Sequence, residues 1–159
     1  MERIIYDRMA ELDSRHWWYR ARREVLNDLI VRRIGPPAGG RILEVGCGTG
    51  HNLAMLGRFG AVDAVELDAA ARAVATRRLG RDVVDARLPE LEGIATGTYD
   101  LVAALDVVEH VQDDRAALTG LARCLKPGGR ILITVPAFPF LWSGHDVANH
   151  HFRRYTRAS

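Results

Sequence analysis

One stretch constrains this chain more than any other: Arg41-Ile42-Leu43-Glu44-Val45-Gly46-Cys47-Gly48-Thr49-Gly50, a short apolar run with an acid near its end, leading directly into three alternating glycines. The run has the length of a buried strand, and the glycines demand a sharp turn. Glycine lacks the Cβ that disfavours positive φ and keeps a backbone away from a bound molecule, and the helix N-terminus just beyond exposes free N–H groups. Strand, glycine turn and helix in this order make a cradle for a nucleotide-like cofactor; the alternative is a strand-to-helix turn that holds nothing.

The rest of the chain repeats the alternation. Apolar residues at roughly helical spacing predict an amphipathic helix over 16–34, broken by Gly35-Pro36-Pro37. Strand 41–45, helix 52–59, strand 61–66 and an Ala- and Arg-rich helix 69–79 follow, then a short strand at 82–84. After a loop with Pro89 come strand 99–105, helix 113–125, a tight turn at Lys126-Pro127-Gly128-Gly129 and a buried strand 130–135 stopped by Pro136. Strands alternating with helices predict an α/β fold with a doubly wound, Rossmann-like parallel sheet, which binds its ligands at the carboxyl ends of the strands.

Length and composition narrow the classes further. A chain of 159 residues suits one domain with a sizeable core. The formal charge of +2 is slight and spread out, so it gives no electrostatic footprint for nucleic acid. Lys126 is the only lysine, a compositional bias toward arginine rather than a phosphate-binding device. Cys47 and Cys124 stand far apart and outside any Cys-x-x-Cys spacing, which suggests neither zinc nor a disulfide framework and fits a reducing, cytoplasmic setting. No leader-like start and no membrane-length apolar run is present in this sequence.

Candidate site residues fall at strand ends. His51 stands where a dinucleotide fingerprint needs its third glycine, which weakens a nicotinamide reading, as does the lack of a Tyr-x-x-x-Lys pair. Glu66 lies at the end of the second strand, about 20 residues after the first glycine, the spacing of an acid that accepts from ribose hydroxyls. Asp68 is the better cap for the helix that starts at residue 69, which leaves Glu66 for the ribose. Asp85 and the following Ala86-Arg87-Leu88-Pro89 are positioned to flank an adenine ring, although a turn-forming Asp reads equally well locally. The apolar run Leu105-Asp106-Val107-Val108-Glu109-His110-Val111 is interrupted by three polar groups that need partners or water.

Taken in order, Glu44-x-Gly46-x-Gly48-x-Gly50, Glu66, Asp85 with Leu88-Pro89, Tyr99-Asp100-Leu101-Val102, Val108-Glu109-His110-Val111 and Arg123-Cys124-Leu125-Lys126-Pro127-Gly128-Gly129 resemble the type 11/12 branch of the class I S-adenosylmethionine-dependent methyltransferases, over about 41–136. The resemblance implies a sheet of order 3-2-1-4-5 and a cofactor, S-adenosylmethionine, released as S-adenosylhomocysteine. It implies that Glu44, Gly46, Cys47, Gly48 and Gly50 hold the methionine end, a carboxylate suiting the cofactor's ammonium. Glu66 and Leu67 would hold the ribose, Asp85 and Ala86 the adenine, and Leu105, Asp106 and Val107 the floor near the sulfonium. Family members continue with an antiparallel hairpin at the sheet edge, and this chain stops before any sequence that supplies it. The expected division is a helical cap over 1–40, the cofactor core over 41–136 and the start of an acceptor-side segment over 137–159.

The flanks resemble members of the same branch, some of which accompany glycan or lipid biosynthesis. His16-Trp17-Trp18-Tyr19 reads either as a helix packing aromatics on the sheet or as a substrate lid. Phe138, Phe140 and Trp142 are expected as an apolar wall, with Arg153 and Arg154 presented to an anionic, sugar- or lipid-linked small-molecule acceptor; a homodimer is a further expectation. Methyl transfer by in-line displacement needs mainly alignment, with a base only where the acceptor loses a proton early. His110 and His145 are the candidate catalytic groups, His150 and His151 share their side-chain type, and Asp106 stands behind them. Asp106-x-x-Glu109-His110 also resembles a Glu-x-x-Glu-His motif of some metal-dependent methyltransferases, but the segment is read here without a metal, as a cap or packing element. The rivals from other classes are a non-catalytic S-adenosylmethionine-binding module and a nicotinamide-dependent oxidoreductase.

Overall fold

A computed structural model describes residues 11–13 and 15–159; the first ten residues of the expected cap, and residue 14, lie outside the described residues. Helix α1 (Trp17–Leu29) begins where His16 Nδ1 accepts from the Trp18 N–H, and it runs on as one π-helical segment, Ile30–Ile34. Gly35, at φ 55°, ends it and donates its N–H to the Ile30 carbonyl, as a left-handed glycine stop does. The chain then alternates β1 (Gly40–Val45), α2 (Leu53–Leu56), β2 (Gly60–Val65), α3 (Ala69–Leu79), β3 (Tyr99–Leu105), α4 (Asp114–Arg123), β4 (Leu125–Thr134) and α5 (Gly144–Ala148).

The described sheet is entirely parallel, with four strands in the order β2-β1-β3-β4. Parallel strands are covered on both faces, and side chains alternate between them. Ile42, Val62, Ala64, Leu101, Ala103 and Leu105 pack with Leu26 of α1, Ile30 of its π-helical continuation, and Leu53 and Leu56 of α2. Leu43, Val45, Val65, Val102 and Ala104 face the other way and pack with Ala117 and Leu121 of α4.

The sequence expectations hold in topology and fail at three elements. The expected strand at 82–84 is a single parallel bridge, Val65↔Val84, so a four-stranded sheet replaces the five-stranded 3-2-1-4-5 order. Val84 still lies outside β2, exchanging bonds with the Ala64 carbonyl and the Glu66 N–H. Exposed Asp82 and Asp85 flank this pair of valines, so the run is too short and too polar to extend the ladder. Helix 52–59 shrinks to Leu53–Leu56, because Gly57 follows it and favours helix poorly. The expected turn at 126–129 is a wide bulge inside β4: Tyr99 pairs with Leu125 and Leu101 with Arg130, so Asp100 alone opposes four residues. Lys126 Nζ anchors the bulge on Asp100 Oδ2 at 2.8 Å. No helix among the described residues is long and apolar enough to cross a membrane.

Gly120 of α4 shows how tightly the second layer closes. A Cβ there would lie 2.2 Å from the Pro89 carbonyl oxygen, a backbone atom. Alanine is the better helix former by about 1 kcal/mol, yet overpacking costs about 1–3 kcal/mol. Gly120→Ala is expected to lower the urea midpoint, and an unchanged or raised midpoint would show that α4 and the Pro89 loop are free to move apart.

Candidate functional site

The carboxyl ends of β1, β2 and β3 open into one cavity of about 1540 Å³. Its floor is the glycine loop. Gly46, Gly48 and Gly50 all have positive φ (69°, 56° and 83°), so the turn uses the freedom that only glycine has without strain. Spatial crowding adds to this at two of them, since a Cβ on Gly46 would meet Val107 Cγ2 at 2.6 Å and one on Gly50 would meet Leu53 Cδ1 at 2.6 Å. Gly46 and Cys47 donate their N–H groups to the Val65 carbonyl, and Gly48 donates to Glu66 Oε2 at 2.7 Å.

Glu66 is therefore a structural brace as well as a candidate ligand. Its Oε1 accepts from the Asp68 N–H at 2.9 Å, and any ribose hydroxyl would use its remaining lone pairs. Asp68 caps α3 by accepting from the Ala71 N–H, as its sequence position predicts. Leu67, Ala86, Leu105, Asp106 and Val107 line the cavity together with Gly46, Cys47, Gly48 and Glu66. Glu44, Gly50 and Asp85 do not. Gly50 instead admits α2 and α3 behind the loop, and Asp85 is largely exposed and pairs with Arg72 at 3.1 Å.

Glu44 lies buried behind the wall. Its Oε1 accepts from Asn52 Nδ2 at 3.1 Å, while Oε2 has no partner. Burial pushes its carboxyl up to about 7. Asn52 does line the cavity, and with its amide nitrogen turned to Glu44 its carbonyl oxygen is the remaining acceptor there. The sequence reading missed Asn52, which stands at the helix N-cap position but turns its side chain to Glu44 instead of capping, a choice that its sequence neighbours do not reveal. His51, beside it, is half-buried with both ring nitrogens enclosed and unbonded, and it meets Tyr19 edge-on; desolvation of the ring lowers its pKa to about 4, so it is neutral at pH 7.

From above, α1 closes the cavity with Trp18, Tyr19 and Arg22. Trp17 and Trp18 are exposed, so they do not pack on the sheet. Arg22 pairs with Asp106 Oδ2 and donates to Thr134 Oγ1 at 2.6 Å, while Thr134 Oγ1 donates to Asp106 Oδ1 at 2.9 Å. Asp106, at φ 59°, thus ties α1 to the ends of β3 and β4, and it does not back the histidines as a base.

The far end of the cavity is built by the C-terminal segment. Fully buried Asp146 accepts from Arg154 Nε and Nη2 (2.8 and 2.9 Å), His151 Nδ1 (2.9 Å) and the Ser143 N–H (2.9 Å). The Arg154 guanidinium, with these other donors, holds the Asp146 carboxyl far below the usual carboxylate range. The Phe152 N–H donates to the Glu109 carbonyl at 2.8 Å, which pins the segment to the end of β3. His110 and His151 rings stand 4.7 Å apart, and His145 lies 6.3 Å from His151. Burial, then His151, lowers the His110 pKa to about 4, and burial raises that of Glu109 to about 8. Three expectations fail here. Arg153 and Arg154 are bound to Asp114 and Asp146, so they are not presented as a pair. Phe138, Phe140 and Trp142 are exposed outside the cavity, where Phe152 supplies the apolar surface instead. Glu109 and His110 meet His151 rather than Asp106.

A family model described as a methyltransferase domain matches residues 17–159. A ubiquinone biosynthesis O-methyltransferase of Xanthomonas oryzae pv. oryzae is 34% identical over 143 residues, covering 80% of this chain and 59% of that protein. The chain thus spans well under two thirds of the length of that relative. Among solved structures, the sugar N-methyltransferase KedS8 of Streptoalloteichus sp. matches with TM-score 0.69 and 27% identity over 87% of this chain and 56% of that one. Phosphoethanolamine N-methyltransferase 2 of Haemonchus contortus, in complex with S-adenosyl-L-methionine, matches with TM-score 0.64 and 26% identity over 84% of this chain and 34% of that one.

The buried carboxyl of Glu44 gives stability a pH dependence with a definite sign. Its folded pKa of about 7 lies above the ordinary 4.5, so the folded state holds a proton that the unfolded chain releases, and stability falls as pH rises from 4.5 to about 7. At 1.36 kcal/mol per tenfold the loss is about 3 kcal/mol. Glu44→Gln is expected to remove it. Urea unfolding of both proteins at pH 5 and pH 8 checks this, and parallel pH dependences would overturn it.

Proposed function

Since the chain belongs to the S-adenosylmethionine-dependent methyltransferase domain family, we propose that it binds S-adenosylmethionine at the β1–β2–β3 rim and transfers its methyl group to a small-molecule acceptor in the same cavity. The observation that carries this reading is the loop at Gly46–Gly50: positive φ at each glycine, and a fixed Gly48 N–H braced by Glu66. The donor set fits the cofactor's chemistry. Asn52 offers its amide oxygen to an ammonium, with the buried Glu44 holding the amide nitrogen from behind. Glu66 suits a ribose diol, and Ala86, Leu88 and Leu105 give apolar surface for a purine.

Bound there, the cofactor would supply a methyl already activated on a sulfonium, which an acceptor lone pair would displace with the carbon–sulfur electron pair left on sulfur. The chain's own part is alignment, exclusion of water and custody of one proton. Arg22, bonded to Asp106 and Thr134, holds α1 across the strand ends and narrows the mouth. A proton lost by an acceptor hydroxyl or amine would pass to an imidazole at the far end of the cavity, His110 or His145, both of which line it. Arg153 and Arg154 are committed to protein carboxylates, and an anionic group would have to compete with Asp114 and Asp146 for them. A neutral, oxygen-bearing acceptor is therefore favoured over a phosphorylated one.

Calorimetric titration with S-adenosylmethionine, S-adenosylhomocysteine and NAD tests the assignment, with binding of the first two and none of the third as the expected result. Gly48→Val forces a β-branched residue to φ 56° on the loop itself, and binding should be abolished. Glu66→Ala removes the acceptor of two backbone N–H groups, each bond being worth about 1.5–3 kcal/mol, and should weaken both cofactor affinity and stability. Undiminished affinity in Gly48→Val would sink the assignment.

A further inference from the structure

Glu109 lies in the single helical turn after β3, Val108–His110. This residue is 1% exposed, and neither carboxylate oxygen has a hydrogen-bond partner. A buried carboxylate in that state is costly unless something cationic meets it. One carboxylate oxygen of Glu109, one ring nitrogen of His110 and one of His151 lie within 4.8 Å of one another. All three residues line the cavity.

We propose that Glu109, His110 and His151 form a binding site for one divalent first-row transition ion at the acceptor end of the cavity. Two imidazoles and one carboxylate are a donor set for manganese, iron, cobalt or zinc rather than for calcium, and three protein ligands leave positions open for other molecules. The supporting contacts are those that metal-binding histidines have. His151 Nδ1 is held by Asp146 Oδ1 at 2.9 Å, which orients the ring and leaves Nε2 as the ligand atom. Asp146 is itself fixed by Arg154. The Phe152 N–H to Glu109 carbonyl bond then sets the distance between the segment that carries His151 and the one that carries Glu109 and His110.

This set differs from the one the local sequence motif suggests. Asp106 is taken by Arg22 and Thr134, and the third ligand comes from 41 residues farther along, at His151. Resting on the methyl-transfer reading, the acceptor class follows: a molecule with two adjacent oxygens, such as a vicinal diol or catechol, able to chelate the ion while one oxygen faces the cofactor end. With His110 and His151 engaged, His145 is the imidazole left to take the proton.

The test is a titration of the whole chain with Co²⁺ at pH 7.5, followed by visible absorbance and by the melting temperature, with and without S-adenosylhomocysteine. One ion per chain, new visible bands and a raised melting temperature are expected, and none of these depends on methyl transfer. Glu109→Gln keeps the shape and removes the charge, so its metal-free form should melt no lower than the parent. Its Co²⁺ affinity should fall by more than the about 10–100-fold that loss of a mere supporting contact costs. His151→Gln should lose affinity likewise, and serves alone should Glu109→Gln fail to fold. No uptake by the parent chain, or uptake that both variants retain in full, would overturn the site. Metal binding without S-adenosylhomocysteine binding would leave the site standing and remove the methyl-transfer reading.

Discussion

Parallel pairing on both sides of β1 is the constraint on which everything else rests. A strand paired parallel on each side cannot return by a hairpin, so every crossover must run back along a face of the sheet. Helices α1, α2 and α4 lie on those faces, and the carboxyl ends of β1, β2, β3 and β4 are delivered to one rim. The turn after β1 must then reverse within a few residues, between the ends of two neighbouring strands. Glycine at 46, where a Cβ would lie 2.6 Å from Val107, is the local answer to that global demand. The cavity is a consequence of the topology before any side chain is considered.

Four of the five buried acids among the described residues then divide into two kinds. Glu66 and Asp146 are met by protein donors on both oxygens: Glu66 by two backbone N–H groups, Asp146 by Arg154, His151 and Ser143. Each joins segments that are distant in sequence, and a charge with that many donors is stable when buried. Glu44 and Glu109 are different. One oxygen of Glu44 and both of Glu109 are without partners, and burial raises both carboxyls toward neutrality. A chain selected only to fold would replace such groups with apolar ones of similar size, since an unsatisfied buried polar group costs about 1–3 kcal/mol. Both stand by the one cavity, Glu44 behind the glycine loop and Glu109 at the far end. That division is the physical argument for a polar ligand contact near each end of the cavity.

How far this was legible in the sequence depends on how local each feature is. The glycine loop, the cap at Asp68, the span of α3 and the span of β3 follow from neighbours a few residues apart, and the structure reproduces each. The valines at 83–84 looked like a strand because their apolar character is real; what the local pattern omits is that a ladder needs several consecutive rungs, and the acids on each side end it after one. Arg153 and Arg154 looked like a free basic pair, because their partners, Asp114 and Asp146, are set by tertiary contacts. The aromatic run at 138–142 read as a wall for the same reason: its composition is visible, its direction is not.

The far end of the cavity shows this limit most sharply, and it also shows what replaces it. Asp106, Glu109 and His110 are close in sequence, but β3 ends at Leu105 and the backbone turns through positive φ at Asp106, so Asp106 points toward α1 while Glu109 and His110 belong to the next turn. A spacing motif assumes that its residues share one regular element, and here they do not. The position of His151 is instead determined by two backbone bonds, from its own N–H to the Asp146 carbonyl and from the next residue's N–H to the Glu109 carbonyl. Backbone bonds do not depend on side-chain identity, so the segment's path is fixed more firmly than the residues it carries. A different side chain at 151 or 152 would alter what the far end of the cavity accepts without moving the strand ends that form the floor. The two halves of the cavity are thus separable: the glycine-loop end is bound to the topology of the sheet, and the far end to a strap held by its own backbone bonds.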